Sequence, residues 1–273
     1  MNKLEEYVLR YQGIHSGTDQ YLALDGKLYD NITDPTKGKV LFDGSQLGKK
    51  FPNYIQQVIN NKGRAITLLD YGCGKAIHTH RPLSAHGNKT LLGRFNGMLQ
   101  CYYCYDPAVV EYSVKPPKGM QFDLTCCADV MEHVPEEFVP SVLSEINDYT
   151  KEDGVILFSI SGNLAKKRFK DGENLHATLK SLEWWANAIM EYCKGKSFIL
   201  IHDDQKRMSA PETEEEKKQL EILKQKHYQQ NTGTPFTYCS TWINYHNSSL
   251  YNHWTKQIVD ECYYENVNVE EVK

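Results

Sequence analysis

No stretch of the 273 residues approaches the roughly 18 consecutive apolar positions a membrane helix needs, so no membrane span is expected. An excess of positive charge is also missing: 31 Lys and Arg stand against 35 Asp and Glu, a net charge of −4. That balance argues against broad, nonspecific nucleic-acid binding and leaves open only a local basic groove. A second CxxC is missing too. Cys101 and Cys104 form the one such pair among eight cysteines, and without a partner pair no four-cysteine zinc site can be built. Their segment, QCYYCYD, has the composition of a strand, which sends the two thiols to opposite faces. Buried, reduced core thiols are therefore expected in preference to a redox or metal pair. Internal repeats and low-complexity tracts are absent. The opening MNKLEEYVLRYQ mixes acids into an amphipathic pattern, unlike a signal or transit peptide, and a cytoplasmic location is the expectation. What is present, 40% hydrophobic and 24% charged residues, is the make-up of a soluble globular fold.

Apolar runs and helical periodicities alternate along the chain. Strands are predicted at 65–70, 99–106, 122–129, 154–160, 198–202 and 236–245, and helices at 51–61, 130–148, 182–192 and 213–229. The alternation predicts an α/β, Rossmann-like fold, a mainly parallel sheet with helices on both faces. Residues 1–60 read as a helical extension packed on the core, with a loop at 25–45. Residues 61–245 read as the main domain and 246–273 as a C-terminal extension. Two segments break the pattern. Residues 78–97, with Pro82 and three glycines, read as an irregular insertion, a lid or substrate loop. Residues 213–229 place acids first and lysines later, which suits a helix dipole and reads as a solvated helix, with a lid or dimer contact as the other readings.

The chain is organised around ITLLDYGCGKAIH, residues 66–78. A buried strand ends on Asp70, and the turn Gly72-Cys73-Gly74 follows at once. Glycine accepts φ > 0 and lets a ligand lie against the main chain. A dinucleotide fingerprint needs a third glycine at its sixth position, and Ile77 stands there, so an NAD-dependent oxidoreductase is disfavoured. Asp70 suits a cofactor with positive charge instead. S-adenosylmethionine (SAM) carries a sulfonium and an ammonium group and no pyrophosphate that would need a helix N-terminus. Asp106 ends the next strand, where nucleoside-binding folds set an acid on the ribose hydroxyls; the competing reading is a turn aspartate before Pro107. In ADVMEHVPEE, the spacing of Asp129, Glu132 and His133 puts all three on one face of the predicted helix. Such a cluster can hold a divalent metal, orient hydroxyls or supply a general base. The plainer alternative is a capping box between Asp129 and Glu132. His78, His80 and His86 fit no standard metal spacing and read as surface or substrate-loop residues. Trp184 and Trp185 read as core in preference to a substrate platform.

In order, LLDYGCGK, CYDP and FDLTCCADVMEHVPEE resemble the motif series of class I SAM-dependent methyltransferases. With FDGSQLGKKFPNYI and DGENLHATLKSLEWW the resemblance covers roughly 40–190 and narrows to small methyltransferases of phages and bacteria, with the host cytoplasm as the expected location if it is phage-encoded. It implies the class I methyltransferase fold, with Asp70, Gly72, Cys73 and Gly74 around the methionine end of SAM. Asp106 and Pro107 would lie at the ribose, and Cys127, Ala128 and Asp129 beside the adenosine. Two departures stand out: Ala76 replaces a third glycine of the family's turn, and 107–121 is too short for the helix and strand that carry the usual adenine-side acid.

The implied reaction moves a methyl group from SAM to an oxygen or nitrogen, leaving S-adenosylhomocysteine. His133 is the first candidate base, His176 the second, and Glu132 an orienting group. Some metal-dependent O-methyltransferases, acting on RNA 3′ ends or catechol-like acceptors, share an acid-x-x-Glu-His cluster. By that resemblance Asp129, Glu132, His133 and His176 would hold Mg²⁺ against vicinal hydroxyls. The acidic charge and aromatic-rich periphery favour a small-molecule or carbohydrate acceptor over nucleic acid. A non-catalytic SAM-binding protein is the remaining alternative.

Overall fold

The computed structural model describes residues 2–31, 40–82, 89–203 and 241–245. Chain order runs α1 (Lys3–Ser16), β1 (Gln20–Leu22), β2 (Leu28–Asp30), α2 (Ser45–Lys50), α3 (Pro52–Lys62), β3 (Ile66–Tyr71), α4 (Leu91–Arg94), β4 (Leu99–Tyr105) and β5 (Phe122–Ala128). It continues through α5 (Val139–Asp148), β6 (Thr150–Ser161), β7 (Arg168–Phe169), α6 (Leu182–Tyr192), β8 (Ser197–Asp203) and β9 (Thr241–Tyr245). The predicted helix at 213–229, the strand residues 236–240, the extension 246–273 and His86 lie outside the described residues.

The large sheet has the order β4-β3-β5-β6-β8-β9, parallel from β4 to β8, with β9 antiparallel on the edge. Strands β3, β5, β6 and β8 are apolar runs because both of their faces are covered, and the period-two alternation sorts neighbours to opposite sides. Cys126 packs with Leu68, Leu124, Leu157 and the α3 residues Ile55 and Ile59. Cys127 packs on the other face with Leu69, Phe158, the α5 residues Leu143 and Ile146, and Trp185 of α6. Trp185 is fully buried, as a core residue should be. All six described cysteines are free thiols.

β3 sits inside the sheet with β4 on one side and β5 on the other, so the chain reverses its winding direction there. Open α/β sheets form their ligand crevice outside the carboxyl ends of the strands at such a switch point. A third apolar cluster, Tyr7, Tyr11 and Ile14 of α1 with Phe169, Leu175 and Ala108, fastens the N-terminal helix over this end. α1 begins with a capping box, Asn2 with Glu5, and stops at Gly17 in the left-handed region.

The structure corrects two element readings. The stretch 25–45 contains β2, part of a small antiparallel sheet β2-β1-β7 whose strands of two and three residues are too short to show a period. The helix expected from 130 starts at Val139. Before it come two 3₁₀ turns, Met131–His133 and Glu136–Phe138. Pro135 forces the change, since it offers no N–H and pushes Val134 to an extended conformation, ψ 126°.

Candidate active site

A cavity of about 700 Å³ opens at the carboxyl ends of β3, β4 and β5, roofed by α1 and the segment 40–44. Gly72, Gly74, Asp106, Pro107, Ala128, Asp129, Glu132, His133 and His176 all line it. Asp70, Cys73 and Cys127 do not. Alternation along β3 turns Tyr71 to the cavity and Asp70 the other way. There Tyr102 donates to Asp70 at 2.8 Å, and His78 Nε2 lies 3.2 Å from the same carboxylate. His78 is thus fully buried, where a surface or loop residue was expected. Cys73 and Cys127 are core thiols whose pKa burial pushes up, which keeps them protonated.

The glycine turn has φ of 76° at Gly72 and 54° at Gly74, conformations that side chains rarely adopt. Their absent Cβ atoms face the protein itself: a Cβ on Gly72 would collide with Val130, and one on Gly74 with the Phe42 carbonyl. The segment 40–44 clasps the turn, with Lys75 N donating to Phe42 O at 3.1 Å and Ile77 N to Asp43 O at 2.9 Å. Gly74 N donates to Asp106 Oδ2 and Ala108 N to Asp106 Oδ1, both at 2.8 Å. These two bonds fix the carboxylate plane, and each oxygen keeps a lone pair for a ligand. Burial raises the Asp106 pKa, and the two backbone donors oppose that shift.

At the end of β5, Asp129 takes φ 56°. Its carboxylate accepts Lys50 Nζ at 2.9 Å and the Ser159 hydroxyl. Asp129 therefore leaves the expected cluster, because a left-handed turn replaces the helix that would have aligned it with Glu132 and His133. Glu132, His133 and His176 do come together: one ligand atom of each lies within 4.8 Å of the others. His176 arrives from the loop between β7 and α6, with its Nδ1 on the Asn163 carbonyl. Glu132 Oε1 accepts Ser161 N at 3.1 Å, while Oε2 is buried without a partner. Burial, with Asp129 adding repulsion, raises the Glu132 pKa far above the carboxylate range.

His133 Nδ1 lies 2.8 Å from Tyr11 Oη and 3.0 Å from the Leu175 carbonyl, and Tyr11 Oη lies 2.6 Å from the same carbonyl. A carbonyl only accepts, so the consistent assignment has Tyr11 donating to it and Nδ1 carrying the ring proton. That leaves the Nε2 lone pair bare. Burial lowers the His133 pKa to about 3, with His176 a second cause, so the ring is neutral across the physiological range. Tyr11 and His15 also line the cavity, yet nothing in the sequence around them marks a site. The i, i+4, i+8 stripe of Tyr7, Tyr11 and His15 carries the signal of an ordinary buried helix face. Trp184 and Trp185 stay away from the cavity.

A family model described as a methyltransferase domain matches residues 45–201, more than half of the chain. No curated protein and no solved structure matches it.

Proposed function

The chain belongs to the methyltransferase-domain family, and from that premise we propose that it moves a methyl group from SAM to an oxygen or nitrogen of a small-molecule or sugar-like acceptor. One observation carries this reading: a single cavity joins the fixed carboxylate of Asp106 to the Glu132–His133–His176 cluster. SAM fits the donor end. Asp106 offers two oriented lone pairs to ribose hydroxyls, with Gly72 and Gly74 beside it on the cavity wall.

The sulfonium supplies an already activated methyl group, so the chain's own task is alignment and proton removal. Asp106 anchors the ribose. His133 presents a neutral Nε2 to the acceptor, and the Nδ1–H bonded to the Leu175 carbonyl and Tyr11 keeps that nitrogen unprotonated. Glu132, fixed through Ser161 N, offers Oε2 to an acceptor hydroxyl. A conjugate acid near 3 makes His133 a weak base, which suits acceptors that lose their proton easily or are polarised by a neighbour. Calorimetry tests the cofactor: SAM and S-adenosylhomocysteine should bind one to one, and absence of binding by both sinks the proposal.

A second reading, favoured by the unpartnered Oε2, adds a divalent cation at Glu132, His133 and His176. With Asp129 withdrawn, the donor set is one carboxylate and two imidazole nitrogens. That set suits Mn²⁺, Co²⁺ or Zn²⁺ better than Mg²⁺, which prefers oxygen ligands. When bound, the ion would supply Lewis acidity that lowers the pKa of an acceptor hydroxyl. Here unchanged transfer after EDTA, with metal removal verified by elemental analysis, is the outcome that rejects the reading.

A further inference from the structure

Among the described residues, two buried, unpartnered side-chain atoms belong to residues that line the cavity: Glu132 Oε2, used above, and His15 Nδ1. His15 stands on the last turn of α1 and is only 8% exposed. It lies outside the matched family segment, and neither proposed reading of the site uses it. A buried polar atom left without a hydrogen bond is costly, so its presence on a cavity wall points to a ligand that satisfies it.

Its position selects the ligand group. The His15 ring is 5.2 Å from the ring of Phe42. The Phe42 carbonyl in turn holds Lys75 N and lies against Gly74, so His15 stands next to the glycine turn. The Phe42 ring also lies 6.0 Å from the His133 ring, so His15 and the Glu132–His133–His176 cluster have it as a shared neighbour. A SAM molecule with its ribose on Asp106 and its sulfur toward that cluster has its amino-acid tail left to run along Gly72 and Gly74. We propose that His15 binds the methionine carboxylate of the cofactor, donating a hydrogen bond from Nδ1. The inference rests on the SAM reading above and adds a residue that determines how the tail is held.

The electrostatics agree. Burial, and then the neighbouring Lys75, lower the His15 pKa to about 4, so the ring in the ligand-free protein is neutral. An arriving carboxylate would meet a neutral N–H donor with the Lys75 ammonium nearby. The neutral tail of an acceptor would gain less from the same pair.

The test compares two probes on the full chain by calorimetry: S-adenosylhomocysteine, which carries the amino-acid tail, and 5′-methylthioadenosine, which lacks it. His15→Phe keeps a ring but removes the donor, and it should weaken S-adenosylhomocysteine on the order of tenfold or more while leaving 5′-methylthioadenosine unchanged. His15→Asn, whose amide nitrogen reaches the place of Nδ1, should recover most of the loss. Equal S-adenosylhomocysteine affinity in wild type and His15→Phe overturns the inference, and so does an equal loss for both probes. If the wild type binds neither probe, the cofactor reading itself falls and takes this one with it. Unchanged binding of 5′-methylthioadenosine also shows that a variant is folded.

Discussion

Both oxygens of Asp106 accept backbone N–H groups, so the side chain is preset before any ligand arrives. Asp106→Ala removes the proposed ribose acceptor and strands two donors. S-adenosylhomocysteine affinity should fall by about a hundredfold in calorimetry, the scale of a hydrogen-bonded charge and its unpaired partners. His133→Gln should leave that affinity within about twofold and lower methyl transfer by at least about a hundredfold, the usual contribution of a positioned proton acceptor. Intact transfer would remove His133 from the mechanism. Tyr11→Phe leaves the Leu175 carbonyl as the sole acceptor for Nδ1–H, so the ring is held by one bond instead of two. Transfer should drop by about tenfold with cofactor affinity unchanged, a split that rate and binding measurements separate. Asp70 shows how residue type alone misleads. Its place before the glycine turn suits a cationic cofactor, yet strand alternation gives it to Tyr102 and His78 in the interior.

Among the elements, the glycine turn and the segment that clasps it act as one piece. Gly74→Ala meets two obstacles together, a φ of 54° and a backbone oxygen, Phe42 O, in the path of the new Cβ. Backbone cannot swing aside as a side chain does. The substitution should cost about 2–4 kcal/mol in denaturant unfolding and release residues 40–44 from the turn. Faster amide exchange at Lys75 and Ile77, whose N–H groups bond that segment, would reveal the release. α1 is a comparable case of an element placed by distant partners. Arg10 pairs with Asp171 at 2.7 Å and with Glu173, and its guanidinium lies 3.7 Å from the centre of the Phe169 ring. This strap carries Tyr11 and His15 to a site that the family segment alone does not complete.

At the scale of the whole molecule, the buried histidines set a pH dependence. His15 and His133 have pKa values of about 4 and about 3, below the ordinary value of 6.5 that they regain on unfolding. The unfolded chain therefore binds more protons between those limits, and stability rises with pH in that window. Their neutral forms support the fold fully above about pH 6.5, and that support is lost as pH falls toward 4. Between pH 7 and pH 5 each residue should remove about 2 kcal/mol. Glu132 and Asp106, whose pKa values are raised, act in the opposite direction, so the histidine share is read by difference: urea midpoints measured in EDTA should change less between pH 7 and pH 5 in a His15→Asn variant, by the amount that His15 contributes. A slope equal to wild type would mean that His15 titrates alike in the folded and unfolded chain.

The sequence by itself determined the layered α/β fold, the glycine turn, the acid at the end of β4 and the segment that supplies Glu132 and His133. Short apolar runs that alternate with helical periods read as strands covered on both faces, and a strand that stops at Gly-x-Gly reads as opening toward a crevice. Tertiary structure alone decided which side chains enter that crevice. Pro135 and the left-handed Asp129 cancelled a helix that spacing had predicted and gave the aspartate to Lys50. Asp70 was taken inward by the strand's pleat. His176 reached His133, and Tyr11 and His15 reached the cavity, only because α1 and the loop after β7 fold back over the sheet's end. Contacts between residues dozens of positions apart or more leave no local period, and that is why the wall of the site could not be read from the chain.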